Sequence, residues 1–226
     1  MPAVHPSVSQ LMLLASLWAL YLALHSLLAS LRCKAFVATR WPLWSAWYRL
    51  AFNVIAVVAL LPPLWFMQQL QGPLLWEWSG TWAWLADGLA AAAVIGMVWT
   101  ARYYDMNAFI GLRRTPASDF ARDSDALFAL SPLHRVVRHP WYFLALIILW
   151  TRNMDAAHVV TALAANLYLV VGSRLEDDKL VLEFGARYRE YRRLVPGLIP
   201  RPWRVLRRAD AQRFMAPPDE SRPDVR

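Results

Sequence analysis

The chain alternates long apolar runs with loops whose arginine content switches from poor to rich and back, and that alternation constrains the fold more than any other feature. The runs are roughly Val8 to Leu31, Trp44 to Met67, Trp82 to Tyr103 and Trp141 to Gly172. A run of about 18 or more apolar residues reads as a transmembrane helix, whereas a soluble domain shows shorter amphipathic elements. The fourth run is too long for one span. It is interrupted by TRNMDAAH (Thr151 to His158), so it predicts a hairpin of two helices with a short first arm.

The segment before the first run has no Lys or Arg, the first loop has Arg32, Lys34 and Arg40 with Arg49 close behind, and Gln68 to Thr81 has none. The third loop carries Arg102, Arg113, Arg114, Arg122, Arg135 and Arg138, the hairpin turn only Arg152, and the stretch after Gly172 is crowded with arginine. Basic loops remain in the cytoplasm. The pattern therefore predicts about five crossings of a bacterial inner membrane, with the N-terminus outside and the C-terminus in the cytoplasm. The expected fold class is all-α and polytopic. A three-helix transmembrane region (1–103) precedes a region of cytoplasmic loop, helical hairpin and cytoplasmic amphipathic helix (104–202). A disordered tail is expected over 203–226, where APPDESRPDVR is polar and rich in proline.

The net charge of +8 is accounted for by topology, which argues against a nucleic-acid partner. The first run carries no preceding charge and is expected to remain as a span rather than be cleaved. A single cysteine, Cys33, excludes an intramolecular disulfide. No GxG occurs among the eight glycines, which removes the Rossmann and P-loop sites. His134 and His139 lack the spacing and further ligands of a zinc centre, so no metal is expected.

Polar side chains at membrane depth invite a functional reading. His25, inside the first run, is either a satisfied buried histidine or a contact to a haem or substrate; Asn53 in the second run stands likewise. Arg138 and His139 precede Pro140, which suits the first turn of a helix. Alone they read as an interfacial anchor beside Trp141 and Tyr142. The hairpin, however, returns to the same membrane face with Arg174, Glu176 and Asp177. From Leu175 to Val195 a helix is expected, with Leu180, Phe184, Tyr188, Tyr191 and Val195 on one face. Glu176 continues that apolar face backwards, so the acidic pair is turned towards the fold. A cluster of both charge signs beside apolar helices suits a charged ligand that is polar at one end.

VVRHPWY, the hairpin, and then SRLEDDKLVLEFGARYREYRRLVPGLIP resemble the integral-membrane methyltransferases related to isoprenylcysteine carboxyl methyltransferase and the phospholipid methyltransferases. Their pattern is R-H-P-x-Y-x-G, then E-E-x-x-L, F-G-x-x-Y-x-x-Y, and a V-P and I-P ending, and the likeness covers roughly Arg102 to Pro202. LHSLLASLRCKAF and DMNAFIGLRR add a likeness to the bacterial branch of methanethiol S-methyltransferase and the NnrU-like membrane proteins. Phe143 and Leu144 stand where a glycine is usual, and Asp177 replaces the second glutamate.

The resemblance implies S-adenosylmethionine as methyl donor and a small-molecule or lipid-like acceptor arriving from the bilayer, foremost a thiol or an isoprenylcysteine carboxylate, with an amine and a phospholipid also open. It implies that Glu176 and Asp177 take the donor's ammonium or ribose hydroxyls, and that Arg138 or Arg174 pairs with its carboxylate. Leu133, His134, Val137, His139, Pro140, Tyr142 and Tyr188 complete the expected donor site. His139, Arg174 and Glu176 are the expected catalytic residues, with His139 or Glu176 as base for a neutral acceptor. Two alternatives stay open: an NADPH-dependent membrane reductase, and a haem-binding or accessory membrane protein using His25 and His134.

Overall fold

The structure is a computed structural model that describes residues 5–113 and 131–215, so Arg114, Arg122 and the segment 216–226 fall outside the described residues. Among the described residues the secondary structure is helical apart from one isolated antiparallel bridge between Trp76 and Met154. Helices α1 (Val8–Ala29), α4 (Tyr48–Gln69), α5 (Thr81–Ala101) and α8 (Ala156–Leu194) are each long and apolar enough to cross a membrane. The 22 residues of α1 or α4 rise about 33 Å, matching a hydrocarbon core of about 30 Å. Their outer faces expose Val57, Val58, Leu61, Trp65 and Ile95, surfaces that lipid solvates and water does not. The chain is an all-α polytopic membrane protein.

The short helices α2 (Leu31–Arg40), α3 (Pro42–Ser45) and α6 (Met106–Ile110) lie at the arginine-rich end. Local chemistry sets several boundaries. Ser7 and Gln10 form a capping box at the start of α1. Asp155 caps α8 by accepting from the backbone N–H of His158 and also accepts from that of Gly72. Pro140 occupies the first turn of α7 (Pro140–Trp150), as expected from its sequence.

Helix α1 packs between α4 and α8, and it runs parallel to α8. Trp18 Nε1 donates to Thr161 Oγ1 at 2.9 Å near the arginine-poor end, and Lys179 Nζ reaches Ala29 O at 3.2 Å at the other. Leu14, Trp18, Met67, Leu70 and Ala157 form the core between the three helices. Helices α5 and α7 pair antiparallel: Trp141 Nε1 donates to Thr100 Oγ1 at 2.8 Å, and Arg152 meets Asp87 at 2.9 Å.

The short first arm of the hairpin has a simple solution. The 11 residues of α7 rise only about 16 Å, half a bilayer. A turn at Thr151 and Arg152 follows it and leads to Met154. Met154 exchanges backbone hydrogen bonds with Trp76 at 2.9 and 3.1 Å.

Two expectations are corrected. Leu175 to Val195 is not one straight helix. Gly185 breaks α8 at φ 57, ψ −131. Asp178 and Arg192 would be about 21 Å apart on a straight helix, yet their side chains meet at 3.1 Å. The chain therefore folds back at Gly185 into two arms. The segment from 203 is not wholly disordered either: Arg208–Met215 forms α9, and Phe214 is buried against Tyr191, with ring centroids 5.7 Å apart. An aromatic anchor outweighs the polar composition around it.

Candidate active site

The fold-back of α8 and the start of α7 converge on Asp177, a buried carboxylate. Arg138 grips it with two donors, Nε at 3.1 Å and Nη2 at 2.6 Å. His139 Nε2 lies 3.0 Å from the oxygen that also accepts from the Tyr188 hydroxyl at 2.5 Å. Burial alone would raise the Asp177 carboxyl, but the hydrogen bonds from His139, Arg138 and Tyr188 hold it well below the usual carboxylate range.

Backbone pairing fixes this geometry. Arg138 N–H donates to Pro196 O at 2.8 Å and His139 N–H to Gly197 O at 3.2 Å. Arg138 Nη1 also donates to the carbonyls of Arg192 and Val195, at the C-terminal end of the second α8 arm. A cation is favoured at that end of a helix. The V-P-G stretch is thus the strap that holds the R-H pair.

His139 bridges the acidic pair: Nδ1 lies 3.3 Å from Glu176 Oε2, and Nε2 faces Asp177. Its ring stacks on Tyr142 with centroids 5.5 Å apart. Burial disfavours its charge, but the bonds to Asp177 and Glu176 prevail and raise its pKa to about 9. At neutral pH both ring nitrogens therefore carry hydrogens. In this arrangement His139 holds the two carboxylates together.

The structure sorts the other expected residues. Arg138 and Asp177 pair with each other at 2.6 Å. Glu176 remains accessible, with 48% of its side chain exposed. Arg174 is exposed and makes no hydrogen bond or ion pair with the described residues, so it is not brought into the cluster. Val137, Pro140 and Tyr188 are buried supports, and Leu133 is partly buried. His134 is buried and held by its neighbours. The Ser131 backbone N–H donates to its Nδ1 at 3.0 Å, so the ring hydrogen is on Nε2, which donates to the Tyr104 hydroxyl at 3.2 Å. Burial, reinforced by the charge of His139, lowers its pKa to about 4.

Two further residues escaped sequence reasoning. Tyr104 accepts from His134 and packs edge-on against Trp141. Arg192 lies 3.7 Å from Asp177 and 3.1 Å from Asp178, with 41% of its side chain exposed. Only the fold-back at Gly185 brings Arg192 here, and a straight helical reading points it away. An apolar hollow of about 820 Å³ on α4, lined by Val58, Leu61, Pro62, Leu64, Trp65 and Gln68, belongs to the lipid-facing surface rather than to this cluster.

No family model matches the chain, and no solved structure does. Curated proteins do match. Methanethiol S-methyltransferase 2 of Bradyrhizobium diazoefficiens is 33% identical over 217 residues, covering 91% of this chain and 78% of that protein. Methanethiol S-methyltransferase of Pseudomonas deceptionensis is 38% identical over 81 residues, covering 35% of this chain and 31% of that protein. That of Mycobacterium tuberculosis is 38% identical over 73 residues, covering 32% of this chain and 30% of that protein. These relatives favour methyl transfer over the reductase and haem-binding alternatives. Because the first of these similarities runs through nine-tenths of the chain, the protein belongs to the methanethiol S-methyltransferase branch of the membrane methyltransferases.

Proposed function

We propose that the protein transfers a methyl group from S-adenosylmethionine to a small thiol at the cytoplasmic edge of a bacterial inner membrane. The observation that carries this reading is the bridge of His139 between accessible Glu176 and buried Asp177, at the junction of α7 and α8, in a chain of this family. When bound, the donor supplies a methyl on a sulfonium sulfur, an electrophile that needs no metal or redox partner.

The residues present fit such a donor. Glu176 has a carboxylate open to an ammonium or to ribose hydroxyls. Arg192, part-exposed beside Asp177 and Asp178, suits a carboxylate, since a guanidinium binds one with two parallel hydrogen bonds. Tyr104 and Tyr142 offer aromatic surfaces and hydroxyls. His139 holds Glu176 in place and, as a cation, keeps two neighbouring carboxylates from repelling each other. The protein's contribution is mainly positioning, with nucleophile and methyl carbon brought to about 3–3.5 Å. Charge placement supports the orientation, since an arginine-rich face belongs on the cytoplasmic side, where a water-soluble donor is at hand.

The test is transfer of labelled methyl from S-adenosylmethionine to a panel of methanethiol, an isoprenylcysteine, an amine and a phospholipid, with donor binding followed by calorimetry. Methylation of methanethiol is expected, and Glu176→Gln is expected to weaken donor binding at least tenfold. Wild-type protein that binds no donor and methylates no thiol would overturn the reading.

A further inference from the structure

Both nitrogens of His139 face carboxylates and Glu176 is assigned to the donor, so a neutral thiol needs a base from elsewhere. One histidine next to the site is not committed in this way. His25 sits on the last turns of α1, on the same half of the bundle as Glu176. Its Nδ1 shares a hydrogen bond with the Tyr168 hydroxyl of α8, while its Nε2 has no partner among the described residues. Three aromatic rings surround it: Phe52 at 5.0 Å between centroids, Tyr168 at 5.4 Å and Tyr21 at 5.9 Å.

The cup connects to the site along one face of α8. Tyr168, Gly172 and Glu176 are four residues apart, so they line one stripe of the helix, about 12 Å long. Gly172 carries no side chain, and the Tyr142 phenol fills that place, 3.8 Å from where a Cβ would sit. Tyr142 in turn stacks on His139, whose Nδ1 lies 3.3 Å from Glu176. The stripe therefore runs from His25 inside the bilayer to His139 at its edge.

We infer that the aromatic cup of Tyr21, Phe52 and Tyr168 holds a small alkyl thiol, and that His25 Nε2 takes its proton during methyl transfer. This inference rests on the proposed thiol methyltransferase activity. A small apolar thiol suits the place, because divalent sulfur packs favourably against aromatic rings and the molecule partitions into the bilayer. In the step, the S–H proton moves to His25 Nε2 and the thiol sulfur forms a bond to the methyl carbon. The donor's carbon–sulfur bond breaks, and its electron pair returns to the donor sulfur, which loses its charge. The products are a thioether, the demethylated donor and an imidazolium that releases its proton to water. With Nδ1–H donating to the Tyr168 oxygen, Nε2 is left with the lone pair, so Tyr168 is a positioning residue.

The experiment compares wild type with His25→Gln and Tyr168→Phe, using a simple alkyl thiol and an acidic aryl thiol that is already ionised at neutral pH. Donor affinity is measured separately by calorimetry. His25→Gln is expected to leave donor affinity unchanged and to slow methylation of the alkyl thiol at least a hundredfold at pH 7. The aryl thiol should lose less than threefold, and the alkyl rate should recover as pH rises towards that thiol's own pKa. Tyr168→Phe should show a smaller loss with the same recovery. Equal losses for both thiols, or a wild-type rate with unchanged pH profile in His25→Gln, would overturn the inference while leaving the transferase reading intact. Loss of donor binding in His25→Gln would also overturn it, by making the residue structural. A wild type inactive on every thiol removes the underlying reading instead.

Discussion

Asp177 shows how much one side chain holds together. It accepts from the adjacent Arg138 and His139 at the start of α7 and from Tyr188 on the second arm of α8. Arg138 is itself nearly buried, with 11% of its side chain exposed. Removing one partner of a buried ion pair leaves the other charge uncompensated, which costs about 3–5 kcal/mol. Asp177→Asn is therefore expected to destabilise the protein by about 3 kcal/mol, read as a shift in denaturant unfolding in detergent. The same cluster sets a pH optimum of stability. Asp177 is depressed, so its contribution is full above the ordinary carboxylate value of 3.8 and fades as pH falls below it. His139 is raised, so its contribution is full below 6.5 and is lost as pH climbs through about 9. The unfolding temperature is expected to peak at mildly acidic pH and to decline towards pH 9, and His139→Gln should flatten the alkaline limb. A decline as steep in His139→Gln as in wild type would assign that limb to another group. The sequence marked Arg138, His139 and both acids as one cluster, because the hairpin returns its ends to the same face. It did not show which charges are free, since that depends on hydrogen-bond distances no spacing encodes.

At the scale of elements, glycine decides two joints. Gly111 sits at φ 90 after α6, and a Cβ there would lie 2.4 Å from the backbone nitrogen of Leu50. Gly185 has open space around it, so its requirement is conformational: φ 57 with ψ −131 is closed to side-chain-bearing residues. Gly185→Ala is expected to destabilise by about 1–3 kcal/mol and to separate Arg192 from Asp178. Gly185→Asn should fare no better, because asparagine tolerates the left-handed helical region and this ψ lies outside it. Urea unfolding of both variants reads the loss, and an asparagine variant as stable as wild type would contradict the conformational argument. Sequence periodicity found the apolar residues of this element but joined its two arms, since a single glycine does not interrupt a heptad-like pattern. Leu144 is a second instance. The family pattern has a glycine there, yet Leu144 is buried with its Cδ1 3.3 Å from the Cβ position of Gly96 on α5. The small residue at this crossing is Gly96 on the partner helix, which lets α5 and α7 pack closely.

For the whole molecule, the apolar runs and arginine-bearing loops made the four long helices and the hairpin legible, because bilayer thickness and charge act on composition directly. Packing between helices was less legible, since every lipid-facing and helix-facing side chain is apolar alike. The parallel pairing of α1 with α8 rests on a few polar contacts, Trp18 with Thr161 and His25 with Tyr168, that no periodicity reveals. The pairing matters because it carries the residues of the first run to the site built by the last. Orientation is open to a direct measurement. Gln71 lies in the arginine-poor loop and Arg201 beyond the second arm of α8, and both are exposed. Cys33 is the one cysteine, so a Cys33→Ala background makes any introduced thiol unique. In right-side-out bacterial vesicles, a membrane-impermeant maleimide is expected to label Gln71→Cys at once and Arg201→Cys only after permeabilisation. The reverse pattern would put the Glu176 site on the outer face, away from the cytoplasmic methyl donor, and the proposed reaction could not be supplied.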